Sequence, residues 1–374
     1  GEQSGDLHGS NLVRGILNAD NNAAITCWGG DLMEAAGARL LVHYKKTAFM
    51  GFTAVLKNIR QISENFRLCK QQVAGFNPDV LILIDYPGFN LRMAEWAKMS
   101  GIRVFYYISP KLWAWNEGRV KKVKKFVDRM FIIFPFEVEF YRKHGIEVKY
   151  AGNPLVDETS KRSESFPSRE IICKSLGIDS RPVIGLMAGS RRHEVELILP
   201  PMMKAIKHFP EYQFVLAGVK NIPDSFYSKV IGDAPVKLVR ELTYEVLHIS
   251  EAALIKSGTS TLEAALHGTP QVVCYKGDFL SMLIGWMVIK VKYISLVNLI
   301  MDSEVVKELV QYDLTEKNIA EELKAILPGG KKREKILSGY NELKERLGPA
   351  GASGRIAAEM VAELRNKSGS KSGI

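Results

Sequence analysis

The sequence predicts an α/β protein built from two doubly wound parallel sheets that face a cleft. Short apolar runs alternate with helical patterns along the whole chain, which is typical of parallel sheets covered by helices on both faces. The 374 residues exceed what one hydrophobic core usually organises. A polar segment containing Pro167, residues 157–169, separates two halves of the same architecture and reads as a linker.

Ten apolar runs are predicted as strands: 23–28, 79–84, 103–108, 129–134, 148–151, 183–187, 213–217, 236–239, 252–256 and 271–275. Helical patterns include 7–17, 52–73, 91–99 and 355–364. Because ligands of such sheets bind beyond the carboxyl ends of the strands, functional side chains are expected in the loops that follow them.

The expected domains are residues 1–156 and residues 170–345, followed by a C-terminal helix over 346–366 that packs back and a disordered tail over 367–374. The chain opens inside what reads as a strand-to-helix loop, so we expect the first strand of the N-terminal sheet to be missing. No signal peptide is expected at this polar start.

Composition favours a polyanionic partner. The formal net charge is +10, which fits nucleic acid, an anionic membrane or phosphorylated substrates. No nucleic-acid-binding module is recognisable. The four cysteines are far apart, which argues against a disulfide framework or a zinc site and fits a reducing compartment.

Two segments could contact a membrane. The apolar run 279–289 is shorter than the roughly twenty residues that span a bilayer, and it is either a buried core helix or an interfacial helix flanked by Trp286, Lys290 and Lys292. The basic segment 119–125 carries Val120 and Val123 on one helical face, so it is either a membrane-surface helix or an ordinary solvated one.

Three motifs in the first half follow predicted strands or open a helix. GEQSGDLHG at 1–9 suits a loop whose amides face a ligand, or a plain turn in which Asp6 caps the helix. Asp85 ends a strand just before Pro87 and Gly88, where it could act as an acid–base group or only pin the loop. Trp113 and Trp115 could stack on a sugar or wedge between elements.

Three motifs in the second half suit a phosphorylated ligand. In GSRRHEVE at 189–196, glycine and serine amides can approach an anion and Arg191 can chelate phosphate oxygens. In SGTSTLE at 257–263, a helix N-terminus favours phosphate, and Glu263 either accepts from ribose hydroxyls or caps the helix with Ser260. Asn298 in YISLVNL at 293–299 either bonds a sugar or nucleotide group or stabilises its loop.

Several site classes are disfavoured. The spacing of His193, Glu194 and Glu196 does not suit a helical metal site, so no metal is expected. Neither GxxxxGK[ST] nor an intact GxGxxG after a strand is found, which counts against a P-loop NTPase and a dehydrogenase, and no cofactor is expected.

Taken together, these motifs and IDYPGFN at 84–90 and SPKLWAW at 109–115 resemble, in order and spacing, the lipid-A-disaccharide synthase family. The resemblance implies a GT-B fold of two Rossmann-like domains. It also implies an inverting, metal-independent transfer of 2,3-diacylglucosamine from its UDP derivative to 2,3-diacylglucosamine 1-phosphate (lipid X) in lipid A biosynthesis. Family members are peripheral on the cytoplasmic face of the inner membrane, and a homodimer is left open.

The resemblance assigns roles residue by residue. Asp85 would be the catalytic group, as general base or as orienter of the acceptor hydroxyl. The donor side would be formed by Gly189, Ser190, Arg191, Ser257, Gly258, Thr259, Glu263 and Asn298. The acceptor side would be formed by Glu2, Ser4, Asp6 and Asn90. Residues 49–52 could receive acyl chains.

The sequence departs from the family pattern at Asn153, where His is expected, and at Val297, where Pro is expected. Three other functions are left open. They are a related transferase acting on another lipid-linked acceptor, a UDP-sugar epimerase, and a non-catalytic protein that binds membranes or polyanions.

Overall fold

The computed structural model describes residues 3–47, 59–115, 117–163, 166–277 and 291–368. The chain divides into two compact units. Unit 1 comprises Gly1–Asp157 and Gly348–Ile374, and unit 2 comprises Glu158–Leu347. Three expectations lie outside the described residues: the interfacial helix over 279–289, the acyl-chain segment over 49–52 and the end of the C-terminal tail.

Twelve strands lie in the described residues: β1 Thr26–Gly29, β2 Arg39–His43, β3 Val80–Ile84, β4 Arg103–Tyr107, β5 Arg129–Ile132, β6 Val148–Tyr150, β7 Val183–Met187, β8 Gln213–Gly218, β9 Val236–Arg240, β10 Ser250–Lys256, β11 Gln271–Tyr275 and β12 Lys307–Val310. The α-helices described are α1 Gln3–Ala19, α2 Asp31–Ala35, α3 Ile59–Phe76, α4 Pro87–Met99, α5 Leu112–Trp115, α6 Val120–Phe126, α7 Phe136–Lys143, α8 Pro154–Ser163, α9 Arg169–Leu176, α10 Arg192–Ala205, α11 Asp224–Ile231, α12 Thr243–Ile249, α13 Thr259–His267, α14 Leu296–Met301, α15 Glu316–Ile326, α16 Arg333–Leu347 and α17 Ala352–Ser368.

Unit 2 contains one parallel sheet with the strand order β12-β11-β10-β7-β8-β9. All five residues of β7 and all six of β8 are buried, as expected for strands covered by helices on both faces. From β7 the chain builds outward through β8 and β9, and β10 then returns to the other side of β7. The order therefore reverses between β7 and β10, which is where open α/β sheets bind ligands.

Unit 1 contains two parallel sheets in its described residues, β1-β2 and β3-β4-β5-β6. The four-stranded sheet holds a core that includes Leu83, Val104, Tyr106 and Ile132, packed against the buried face of α4. In chain order its strands are neighbours, so Asp85, Ser109 and Asn153 leave the same edge of the sheet.

A cavity of about 1810 Å³ in unit 1 is lined by residues of both sheets, including those of β1 and β3. Residues of α1 and α17 also contribute to its wall. In the described residues, β1 pairs only with β2 and β3 pairs only with β4. Helix α17 packs against α1.

All ten predicted strands are present with small shifts at their ends, and β2 and β12 were not predicted. One prediction of a loop is wrong, because residues 3–9 of the glycine-containing motif belong to α1. The segment 157–169, predicted as a linker, begins inside α8, which continues to Ser163. Helix α8 starts where it does because Asn153 caps it: its Oδ1 accepts from the amide of Leu155 at 2.9 Å, while its Nδ2 donates to the carbonyl of Ile133.

Among the described helices, none combines the length and apolar character that crossing a membrane requires.

Candidate functional site

Asp85 lies exposed at the carboxyl end of β3, in a turn of unusual backbone geometry. Both Asp85 and Tyr86 have φ near +46°, a left-handed conformation that non-glycine residues seldom adopt. Such conformations cost of order 1–3 kcal/mol each and persist where the surroundings hold them. The local backbone therefore stores strain in order to present Asp85 at the strand end.

Three hydrogen bonds to the main chain of Asp85 hold this turn. Its amide donates to the carbonyl of Tyr107 at 3.0 Å. Its carbonyl accepts from the hydroxyl of Tyr106 at 2.5 Å and from Nδ2 of Asn90 at 2.7 Å. The same Nδ2 also donates to the carbonyl of Ile84 at 3.0 Å. Asn90, predicted on the acceptor side, thus holds the turn that carries Asp85.

The neighbouring loop after β4 is built around the buried carboxyl group of Glu137. This group accepts from Nε1 of Trp113 at 3.2 Å and from the amide of Phe134 at 3.1 Å. Burial raises the pKa of Glu137 to about 7, although these bonds oppose the shift. The Trp113 ring packs edge-on against Phe136 with the centroids 4.9 Å apart. Trp113 is therefore wedged between elements, one of the two expectations for it.

Asp6 has a structural role in unit 1. Its carboxylate is buried and accepts from the amides of Gly30, Leu32 and Met33 at 2.8–3.1 Å. It therefore caps α2 rather than its own helix. Ser4 lies exposed in the first turn of α1, and Glu2 lies outside the described residues.

The loop after β7 folds around Glu194. Gly189 has φ +113°, and a Cβ there would lie 2.6 Å from Oε2 of Glu194, so the approach requires glycine. That oxygen accepts from the amides of Ser190 at 3.0 Å and Arg191 at 3.3 Å. These amides were predicted to face an anionic ligand, and here the carboxylate of Glu194 takes that place. The Arg191 side chain is 54% exposed, and its Nη1 lies 3.4 Å from Oε1 of Glu194.

The loop after β10 is joined to both of its neighbours. Nζ of Lys256 lies 3.0 Å from Oε1 of Glu194, which connects it to the loop after β7. The hydroxyl of Ser257 donates to the carbonyl of Ile294 at 2.7 Å, which connects it to the segment before α14. Gly258 is the N-cap of α13, and Thr259 lies exposed in the first turn of that helix. The three loops thus form one cluster at the sheet edge.

Glu263 lies in the second turn of α13 and is half-buried. One carboxylate oxygen accepts from the hydroxyl of Tyr244 at 3.1 Å. Burial raises the pKa of Glu263, and hydrogen bonds from Tyr244 and Ser260 oppose that shift. Because the N-cap of α13 is Gly258 and Ser260 already lies inside the helix, the contact with Ser260 is a side-chain bond within the helix and not the predicted capping box.

Asn298 is fully buried, and its amide group is fully used. Nδ2 donates to the carbonyl of Val306 and to Oε1 of Glu308, both at 2.9 Å. Oδ1 accepts from the amides of Val305 at 2.9 Å and Val306 at 3.0 Å. Asn298 therefore positions the segment 293–299, as the second of its two interpretations expects.

Sequence reasoning missed three residues that organise the cluster in unit 2: Glu194, Lys256 and Glu308. Glu308 accepts from the amides of Ile294 and Ser295 and from Asn298. Glu194 was considered only as a metal ligand. Glu194 lies three residues after Arg191, the N-cap of α10, which is the position of the acidic residue in a capping box. This signal could have revealed its role. Among the described residues, no group of three or more His, Cys, Asp or Glu side chains could hold a metal ion.

Comparisons with known proteins show the family of this chain. A family profile described as lipid-A-disaccharide synthetase matches residues 1–358. The chain is 38% identical over 374 residues to lipid-A-disaccharide synthase of Geobacter metallireducens (strain ATCC 53774 / DSM 7210 / GS-15), covering 98% of this chain and 96% of that protein. It is 37% identical over 372 residues to the Myxococcus xanthus (strain DK1622) protein of the same name, covering 97% and 96%.

Solved structures share the fold at low identity. A putative UDP-N-acetylglucosamine 2-epimerase from Listeria monocytogenes has a TM-score of 0.68 at 13% identity, covering 98% of this chain and 95% of that one. CalG4, the calicheamicin glycosyltransferase, has a TM-score of 0.58 at 14% identity, covering 95% and 94%. Because epimerases and glycosyltransferases both match, these likenesses establish a GT-B-like α/β fold and leave the activity to the family comparison.

Proposed function

The chain belongs to the lipid-A-disaccharide synthase family and is a glycosyltransferase of lipid A biosynthesis, and from that premise we propose its substrates and mechanism. The donor is UDP-2,3-diacylglucosamine and the acceptor is 2,3-diacylglucosamine 1-phosphate. The anomeric centre inverts, and the products are the lipid A disaccharide 1-phosphate and UDP. The observation that carries this proposal is Asp85, an exposed carboxylate on a backbone turn held under strain.

Asp85 is the general base in this mechanism. An inverting displacement needs the acceptor hydroxyl to lose its proton as it attacks the anomeric carbon, and a positioned carboxylate can accept that proton. The hydrogen bonds from Tyr106 and Asn90 go to the main chain of Asp85, so they fix the turn that carries the carboxylate. Asn90 accordingly contributes as a positioning residue.

Departure of UDP requires a site for the negative charge that develops on the diphosphate. Arg191 supplies an exposed guanidinium, and the N-terminus of α13 supplies Gly258 and Thr259 beside the partial positive charge of a helix end. Glu263 holds the ribose. Gly189, Ser190, Ser257 and Asn298 shape the donor side through the contacts of their loops.

The acceptor side is proposed to include Glu2 and Ser4, with Asp6 contributing through the position of α2. For localisation we infer the cytoplasmic face of the inner membrane, with the anionic lipid surface as a partner. Helix α6 supports this inference, because Val120, Val123 and Phe126 are buried while its lysines are exposed. A homodimer fits the same proposal.

The experiment is incubation of the protein with both lipid substrates, followed by mass spectrometry of lipids and nucleotides. The proposal expects one disaccharide 1-phosphate for each UDP released. Consumption of the UDP-sugar without an acceptor, giving an epimer, would favour the epimerase alternative, and absence of any turnover would favour the non-catalytic one.

A further inference from the structure

We propose that Lys256 is a ligand of the donor's diphosphate and that Glu194 holds its ammonium in place until the ligand arrives. The inference rests on the proposed function and extends it, because Lys256 is not among the donor residues that the sequence predicts. The ligand class is a nucleoside diphosphate, recognised here through its phosphate oxygens.

The position of Lys256 in the sheet is the first argument. It is the last residue of β10, which neighbours β7 at the point where the strand order reverses. The loops that follow these two strands flank the crevice where parallel α/β sheets bind ligands. Arg191 follows β7 on one side of this crevice, and Lys256 ends β10 on the other.

The surroundings of the ammonium are the second argument. The Lys256 side chain is 20% exposed and that of Glu194 is 8% exposed, so the pair is largely shielded from water. A Cβ placed on Gly258 would lie 3.9 Å from Nζ of Lys256, which puts the ammonium beside the N-cap of α13. A lysine charge and a helix N-terminus thus lie together, and both favour phosphate.

The charge balance of the cluster is the third argument. Glu194 is paired with two cations, Lys256 at 3.0 Å and Arg191 at 3.4 Å, so the three side chains carry a net charge of one positive unit. Burial alone would raise the pKa of Glu194, but Lys256 and the amide of Ser190 outweigh it and the pKa is lowered.

The hydrogen bonds from backbone amides to Glu194 explain how Lys256 can bind either Glu194 or a ligand. The carboxylate keeps its two bonds from the amides of Ser190 and Arg191 if the ammonium turns toward a ligand. A diphosphate carries at least two negative charges and can attract Lys256 without leaving Glu194 unpaired. The lysine would then add to Arg191 in stabilising the departing nucleotide.

The test separates the phosphate part of the ligand from the nucleoside part. Binding of inorganic pyrophosphate and of uridine is measured by titration for the full chain and three variants. Lys256→Met removes the ammonium, Lys256→Arg keeps a cation at the same position, and Lys324→Met is a matched control at an exposed lysine of α15. Thermal unfolding of each variant reports whether the fold is intact.

The expected result is that Lys256→Met weakens pyrophosphate binding by about ten- to a hundredfold, as for loss of a bond to a charged group. Uridine binding should be unchanged, Lys256→Arg should recover most of the affinity for pyrophosphate, and Lys324→Met should match the parent protein.

Two results would overturn the proposal. One is unchanged pyrophosphate affinity in Lys256→Met. The other is an equal loss for pyrophosphate and uridine without recovery in Lys256→Arg, which would mean that Lys256 only holds the two loops together. Either result leaves the proposed transferase activity standing, because that activity is measured separately by formation of the disaccharide.

Discussion

The side-chain amide of Asn90 donates to the main-chain carbonyl of Asp85 across 2.7 Å, and this bond links the first turn of α4 back to the end of β3. Asp85 and Tyr86 both occupy left-handed backbone conformations at this point. The bond therefore holds the strained backbone of this turn in place. Without it the turn could relax, and the carboxylate of Asp85 would move.

Asn90→Ala is predicted to lower kcat while the protein stays folded. The variant loses both bonds from Nδ2, so the turn can relax and Asp85 loses its fixed position, at a cost of about 1–3 kcal/mol in the free energy of unfolding. Steady-state kinetics and denaturant unfolding measure the two effects. Asn22→Ala, at an exposed position, is the control. A kcat equal to that of the control would show that the turn does not need this bond.

Arg191→Met is predicted to weaken UDP binding by about tenfold or more, because the exposed guanidinium of Arg191 is proposed to bind the diphosphate. Arg192→Met is the matched control, since the neighbouring guanidinium lies over the ring of Phe226 instead. Calorimetric titration with UDP measures both. Equal affinities for the two variants would contradict the role assigned to Arg191.

Asn298→Ala is predicted to destabilise unit 2 by about 3 kcal/mol. It leaves the partly buried amide of Val305 and the buried amide of Val306 without their acceptor, and each unsatisfied buried group costs about 1–3 kcal/mol. Asn318→Ala, whose side chain makes an exposed bond to the carbonyl of Asp313, should cost less than about 1 kcal/mol. Urea unfolding compares the two variants. Similar losses in the free energy of unfolding would mean that the hydrogen bonds of Asn298 add little to stability.

Glu137 is predicted to make stability fall as pH rises. Burial raises the pKa of Glu137 from its ordinary 4.5 to about 7, so between these values the folded protein binds a proton that the unfolded chain releases. Raising the pH through this window should therefore reduce the free energy of unfolding, by at most about 3 kcal/mol.

The measurement for Glu137 is unfolding at several pH values from 5 to 8, with Glu137→Gln as the comparison. The variant has no group titrating at this position. The difference in the free energy of unfolding between the two proteins should therefore change with pH, whatever its absolute size. If the free energies of unfolding of the two proteins run parallel from pH 5 to 8, the raised pKa of Glu137 is contradicted.

The sequence predicted the strands well because β7, β8 and their neighbours are uninterrupted apolar runs bounded by turns, which local pattern alone identifies. It also placed Asp85 correctly at the end of β3 and Arg191 in the loop that follows β7. Strand β2 was not predicted, because its apolar run, residues 40–42, is short and stands between Arg39 and His43. The predicted start of helix α1, at residue 7, is too late, because glycines in its first turns are typical of a loop.

The contacts inside the candidate site could not be predicted, because they join residues that are distant in sequence. Lys256 meets Glu194 across 62 positions of chain only because β10 returns beside β7. The complete use of the Asn298 amide likewise depends on β12 lying next to β11. Local patterns report which residue types follow a strand, whereas the strand order decides which of them meet.

We propose that this chain joins two acylated glucosamines with Asp85 as the base. The direct test compares disaccharide formation by the parent protein and by Asp85→Asn, with both lipid substrates present and UDP affinity measured alongside. The expected result is rapid formation by the parent, a loss of at least about a hundredfold in the variant, and equal UDP affinity. Turnover of the variant close to that of the parent would contradict it.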